Sequence, residues 1–117
     1  MGIGVNIQTQ NEIMFVNLTG ELDQSKTEQV KVRLMTTMVA NDIKHIVFNL
    51  KGLSFMDSSG IGIILGRYKQ VSAVGGKVFV LGMNPVVDKV FHMAGLNKII
   101  TVIDDEKSLM NVLEEAI

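Results

Sequence analysis

The sequence predicts a single α/β domain over residues 1–117, a mixed and mostly parallel sheet in the order ββαβαβαβα with helices packed on it. Two stretches near the start alternate apolar with polar residues, the period of half-buried strands. Two later runs, inside HIVFNL and KVFVLG, are continuously apolar, as in parallel strands covered on both faces. Segments with apolar residues at helical spacing separate these strands, which implies right-handed crossovers. At roughly 150 residues per domain there is room for one. The 47% hydrophobic content is enough for such a domain to bury about 60–70% of its unfolded surface.

The elements follow in order. Ile3, Val5 and Ile7 alternate with Gly4 and Asn6, and Met14, Val16 and Leu18 resume the alternation after the polar TQNE, giving an antiparallel pair. Past Gly20, Ser25-Lys26-Thr27-Glu28 reads as a capping box that opens a helix. Its apolar stripe is Val30, Leu34 and Met38, with Met35 and Val39 beside it, and Asn41-Asp42 ends it. The strand HIVFNL ends near Leu50 and leads into the segment KGLSFMDSSG. Ile61, Ile64, Leu65, Tyr68 and Val71 then mark a second helix that Gly75-Gly76 stops. Gly62 and Gly66, on an adjacent row, predict close packing against the sheet.

After the strand KVFVLG, Asn84 is an N-cap and Pro85 the first helical residue, with Val87, Val90, Phe91 and Ala94 as the buried face and Gly95-Leu96 as the C-terminal stop. A short strand, IITVI, precedes Asp104-Asp105-Glu106, acidic residues that suit the start of a last helix carrying Leu109, Val112, Leu113 and Ala116. Met14, Met35 and Met38 read as core filling, and so do Met56 and Met93, for which a place at a docking edge is the alternative.

Composition removes several function classes. The 11 Lys+Arg and 12 Asp+Glu give a formal charge of −1 and neither sign clusters, so the basic footprint of nucleic-acid or anionic-membrane binding is missing. Without cysteine there is no disulfide framework, thiolate metal site or cysteine nucleophile, and the expected location is the reducing cytoplasm. The opening MGIGVNIQTQNEI has no positive charge before Lys26 and alternates, unlike a signal peptide or a spanning helix. A serine hydrolase would need glycine two residues before Ser58, where Met56 stands. His45 and His92 are read as packed or solvated rather than as bases. The Gly60–Gly66 run lies within an apolar helical stripe and Gly75-Gly76-Lys77 precedes a strand instead of a helix, so neither satisfies a phosphate-binding loop. The acidic run at Asp104 suits a helix dipole and needs no cation. No catalytic residue, metal ligand or cofactor is expected.

Function is expected at the carboxyl edge of the sheet, where open α/β sheets bind ligands and where Asp23, Ser58 and Asn84 become neighbours. Asp57-Ser58-Ser59-Gly60 places small hydroxyl residues at a helix N-terminus, whose free N–H groups and dipole favour an anion. A phosphate there gains about 0.3–1 kcal/mol if exposed and up to ~2 if partly buried. The same residues also make an ordinary helix cap. Local chemistry does not separate Ser58 from Ser59, and direct binding of a nucleotide or other anion stays open.

Taken together, LTGELD, DIKHIVFNL, LSFMDSSGIGIILGRYKQ and MAGLNKII, from Leu18 to Ile100, resemble STAS domains, and among them the bacterial anti-sigma factor antagonists of the sporulation stage II AA type. The resemblance implies a non-enzymatic switch protein. Ser58 is then the residue phosphorylated by a partner that is both anti-sigma factor and serine kinase, and a serine phosphatase restores it. The unphosphorylated form binds the anti-sigma factor and releases the sigma factor. Asp23 is implied as a partner contact and the surface around Asp57, Ser58, Ser59 and Gly60 as the docking face, to which the topology adds Asn84. ATP and Mg²⁺ belong to the kinase, and the free chain is expected to be a monomer. The alternative within the family is an antagonist of a general stress-response partner switch.

Overall fold

The chain opens as a hairpin of β1 (Ile3–Gln10) and β2 (Ile13–Leu22), with Val5 opposite Leu18 and Ile7 opposite Val16. Asn11 turns the corner in the left-handed region at φ 57, a conformation asparagine tolerates. The computed structural model describes residues 2–116; Met1, Ile117 and the side chain of Ala116 lie outside the described residues. β3 (His45–Met56), β4 (Val78–Leu81) and β5 (Thr101–Ile103) add in turn, each parallel to the one before, so the spatial order is β1-β2-β3-β4-β5. The helical segments fall between and after these strands, as the alternating pattern requires.

Two apolar layers hold the sheet. On one face α1 (Thr27–Asn41), α2 (Ser58–Ser72) and α3 (Pro85–Met93) bring Val30, Leu34, Ile63, Ile64, Val71, Val87 and Phe91 onto Met14, Val16, Ile46, Phe48, Val78 and Val80. On the other face α4 (Glu106–Ala116) brings Leu109 and Leu113 onto Ile13, Val47, Phe79, Leu81 and Ile103. The unbroken runs Ile46-Val47-Phe48 and Val78–Leu81 are buried on both sides for this reason. Each large side chain so buried contributes about 1.5–3 kcal/mol.

The helix ends follow local chemistry. Asn84 Oδ1 accepts the Val87 N–H at 2.8 Å, with Pro85 in the first turn. Gly95, at φ 77, ends α3 in the left-handed conformation and lets Leu96 turn back into the core. Asp105 Oδ1 accepts the Ser108 N–H at 2.7 Å, which holds the Asp105 carboxyl below the usual carboxylate range.

Several expectations are corrected. β2 and β3 run on together to Leu22 and Met56, so Lys51–Met56 is strand rather than loop. Two register shifts, between Asn17 and Thr19 and between Gly20 and Glu21, break the alternation there, and burial recurs at Leu50, Leu53 and Met56 instead. The capping box does not form: Asp23 caps a 3₁₀ turn at Gln24–Lys26, and Ser25 donates to Asp23 while α1 begins two residues later. Met35 and Val39 lie on the solvent side of α1, Val39 being 85% exposed, and Ala94 is exposed at the end of α3. Gly62 and Gly66 face away from the sheet, and a Cβ added at either meets nothing within 4 Å.

Candidate functional site

The sheet register builds the site. Leu22 and Met56 are the last paired residues of β2 and β3, so Asp23 and Asp57 leave the sheet side by side, and the Asp57 N–H donates to the Leu22 carbonyl at 3.3 Å. Asp57 is extended and caps α2, its Oδ1 accepting the Ser59 N–H at 2.9 Å. Ser58 is therefore the first residue of α2, and it is exposed. Ser59 is half-buried, and the Gly60 N–H donates to the Asp57 carbonyl at 3.0 Å.

Gly60 explains how a helix can begin so close to the sheet. A Cβ at that position would overlap Met56 Cγ and lie 3.1 Å from Leu22 Cδ2, and both side chains are fully buried. The close-approach glycine of α2 is thus Gly60, and the packing role expected for Gly62 and Gly66 belongs to it.

Asp23 is held in place by its own turn. Its Oδ1 accepts the Ser25 N–H at 3.0 Å and the Ser25 hydroxyl at 2.6 Å, and its Oδ2 lies 3.3 Å from Lys26 Nζ. The Ser25 hydroxyl, with Lys26 adding to it, lowers the Asp23 pKa, so the carboxylate is charged throughout the physiological range. Asn84 is placed differently. Its Nδ2 donates to the carbonyls of Leu53 at 3.1 Å and Ser54 at 3.4 Å while its Oδ1 caps α3. That side chain ties α3 to β3, and both its polar ends are engaged within the chain.

The structure therefore brings Asp23, Asp57, Ser58, Ser59 and Gly60 to one end of the sheet, with Asn84 attached two to three residues below it on β3. Met56 is core and Met93 is not, being 78% exposed on α3. His45 lies at the opposite end of β3 from Ser58, where its Nδ1 accepts the Lys77 N–H at 3.1 Å, and burial lowers its pKa. His92 is exposed on α3 beside Asp88, at 2.9 Å. Among the described residues no cluster of His, Cys, Asp or Glu could hold a metal ion, and no helix is long and apolar enough to cross a membrane. Sequence reasoning missed Arg67. It is 5% exposed, and no motif distinguishes it from Lys69 of the same helix.

Residues 4–109 match the family model of the STAS domain. The chain belongs to the STAS domain family. Over 114 residues, 97% of each chain, this STAS domain is 37% identical to an anti-sigma F factor antagonist of Paenibacillus polymyxa. It also resembles the solved structure of the anti-sigma factor antagonist SpoIIAA in its unphosphorylated form, with a TM-score of 0.83 and 32% identity, covering 95% of this chain and 97% of that one. The phosphorylated form of the Bacillus cell fate determinant SpoIIAA gives a TM-score of 0.74 at 32% identity, covering 93% of this chain and 99% of that one.

Proposed function

We propose that this STAS domain is an anti-sigma factor antagonist of the sporulation type, acting in the cytoplasm, whose binding is switched off by phosphorylation of Ser58. The observation that carries the reading is Ser58 itself, exposed at the first position of α2, directly after Asp57, which leaves the sheet alongside Asp23. The kinship with SpoIIAA, a protein solved both with and without phosphate, supports a phosphorylation switch, and the identity to an anti-sigma F factor antagonist supports the partner.

The chemistry belongs to the partner. An anti-sigma factor with kinase activity transfers the γ-phosphoryl group of Mg-ATP to Ser58 Oγ. The Oγ–P bond forms, the bond to ADP breaks, and the serine proton passes to the kinase or to solvent. A serine phosphatase reverses the step with water. The STAS domain supplies an accessible hydroxyl, a helix N-terminus that tolerates the product's charge, and a docking face around Asp57, Ser59 and Gly60 with Asp23 at its edge.

Phosphorylation adds about −1.5 to −2 charge at pH 7. In the free protein water and the helix dipole accommodate it. In a complex the phosphate is desolvated next to Asp23, and at about 2–5 kcal/mol for an uncompensated interfacial charge the affinity falls roughly 30-fold to several thousand-fold. That range is wide enough to release a partner.

Incubation with the anti-sigma factor and Mg-ATP, followed by intact mass and peptide mapping, tests the reading. One phosphate, on Ser58, is expected, with loss of the complex. Ser58→Ala keeps binding and cannot be switched off, Ser58→Asp binds weakly, and Asp23→Ala weakens binding with the fold intact. Equal affinities of Ser58→Ala and Ser58→Asp in a titration refute the switch.

A further inference from the structure

Gly62 and Gly66 stand one turn apart in the interior of α2, where glycine destabilises a helix relative to alanine. Neither has a packing reason, since a side chain at either would enter open space. Together they line a groove of about 420 Å³ between α1 and α2, which Ser59 borders at one end and Arg67 at the other, with Glu28 and Lys31 along the α1 side.

Arg67 is the second, independent feature. The residue is 5% exposed, and its Nε donates to Gln70 Oε1, yet Nη1 is buried with no hydrogen-bond partner. No carboxylate, Glu28 included, lies within ion-pair distance of it among the described residues. A buried guanidinium without a counter-charge is a costly arrangement for a monomer to keep. Burial acts on its pKa in the direction of neutrality, a sign of incomplete solvation.

We propose that the α1–α2 groove is a second docking element, which receives an acidic side chain of the anti-sigma factor onto Arg67 while the glycines admit the partner's backbone. This deepens the reading of Ser58 and rests on it for the identity of the partner. Charge selects the occupant: Arg67 and Lys31 outnumber Glu28 along the groove, and a carboxylate supplies the counter-charge that the guanidinium lacks. The groove begins at Ser59, so one partner surface spans both elements.

The test compares affinities of the full chain for the anti-sigma factor. Gly66→Leu fills the groove far from Ser58. It is expected to keep or raise the melting temperature and to weaken binding roughly tenfold or more. Arg67→Gln weakens binding by a similar factor and Arg67→Lys by less, each measured only on protein shown by thermal unfolding to be folded. If Gly66→Leu binds like the native chain while Ser58→Asp binds weakly, the groove proposal is overturned and the Ser58 reading stands. Failure of the native chain to bind the anti-sigma factor overturns both. Weakened binding by Gly66→Leu with unchanged stability, and by Arg67→Gln, supports the groove; if the Arg67 variants do not fold, the Gly66→Leu result decides alone.

Discussion

Gly60 and Gly62 lie two residues apart on α2, and the same substitution is expected to move stability in opposite directions at the two positions. At Gly62 a methyl group meets nothing within 4 Å, so Gly62→Ala gains the helix-interior preference of alanine, about 0.8–1 kcal/mol. At Gly60 the methyl group overlaps Met56 Cγ and comes within 2.9 Å of Met56 Sδ and 3.1 Å of Leu22 Cδ2. Both side chains are fully enclosed, so neither can swing into solvent. Overpacking of this kind costs about 1–3 kcal/mol, and a first-turn position recovers little of it through helix propensity. For a domain of this size 1 kcal/mol shifts Tm by about 4 °C. Thermal unfolding followed by circular dichroism, with urea midpoints as a second probe, is expected to show Gly62→Ala melting about 3–4 °C above the native chain and Gly60→Ala about 4–12 °C below it. A Gly60→Ala variant as stable as native would refute the claim that this glycine sets the distance between α2 and the sheet.

Two further outcomes follow from hydrogen bonds at either end of β3. Asn84→Ala removes the α3 cap and the link to the Leu53 carbonyl, so stability falls by about 1–3 kcal/mol in urea unfolding, whereas Asn84→Asp keeps the cap and restores part of the loss. Burial lowers the His45 pKa, so the folded chain takes up this proton at lower pH than the unfolded chain, in which it is bound below about pH 6.5. The contribution of His45 is therefore fully present above that value and lost as the pH falls below it, where the unfolded state binds more protons. The urea midpoint of the native chain is expected to drop more between pH 7.5 and 5.5 than that of His45→Asn, and equal drops would remove His45 from the account.

Much of this molecule is readable in the chain because local and tertiary preferences agree. The alternation of Ile3, Val5 and Ile7, the doubly buried runs of β3 and β4, and the Asn84-Pro85 and Gly95-Leu96 helix ends each have one physical solution, and the structure adopts it. Legibility fails where two preferences compete. Ser25 and Glu28 satisfy the pattern of a capping box, but Asp23 reaches the Ser25 N–H first and the helix starts later. The end of β3 is hidden because register shifts turn a spacing of two into the spacing of three at Leu50, Leu53 and Met56. A glycine on a helix also gives no sign of which side it faces, so the close packing expected of Gly62 and Gly66 falls to Gly60 instead. At the site, topology places Asp23, Ser58 and Asn84 at one sheet edge and the resemblance to STAS domains chooses Ser58 over Ser59, while the proximity of Asp23 to Asp57 depends on a β2–β3 pairing that extends past any apolar alternation. Arg67 is buried in the folded chain, and nothing in its immediate sequence announces it.

The strictly sequential strand order has a consequence for how the chain assembles. Because every strand pairs with its immediate predecessor, no segment waits for a distant partner, and each loop closed is little longer than one helix and its turns. A chain emerging from the ribosome can lay down the hairpin, then add β3, β4 and β5 one edge at a time. The layer beneath α1, α2 and α3 then grows with synthesis, and the lower layer closes only when α4, the final helix, arrives. The Ser58 helix packs on β3 and β4, so its platform in the sheet is complete once β4 has been added, before β5 and α4 exist.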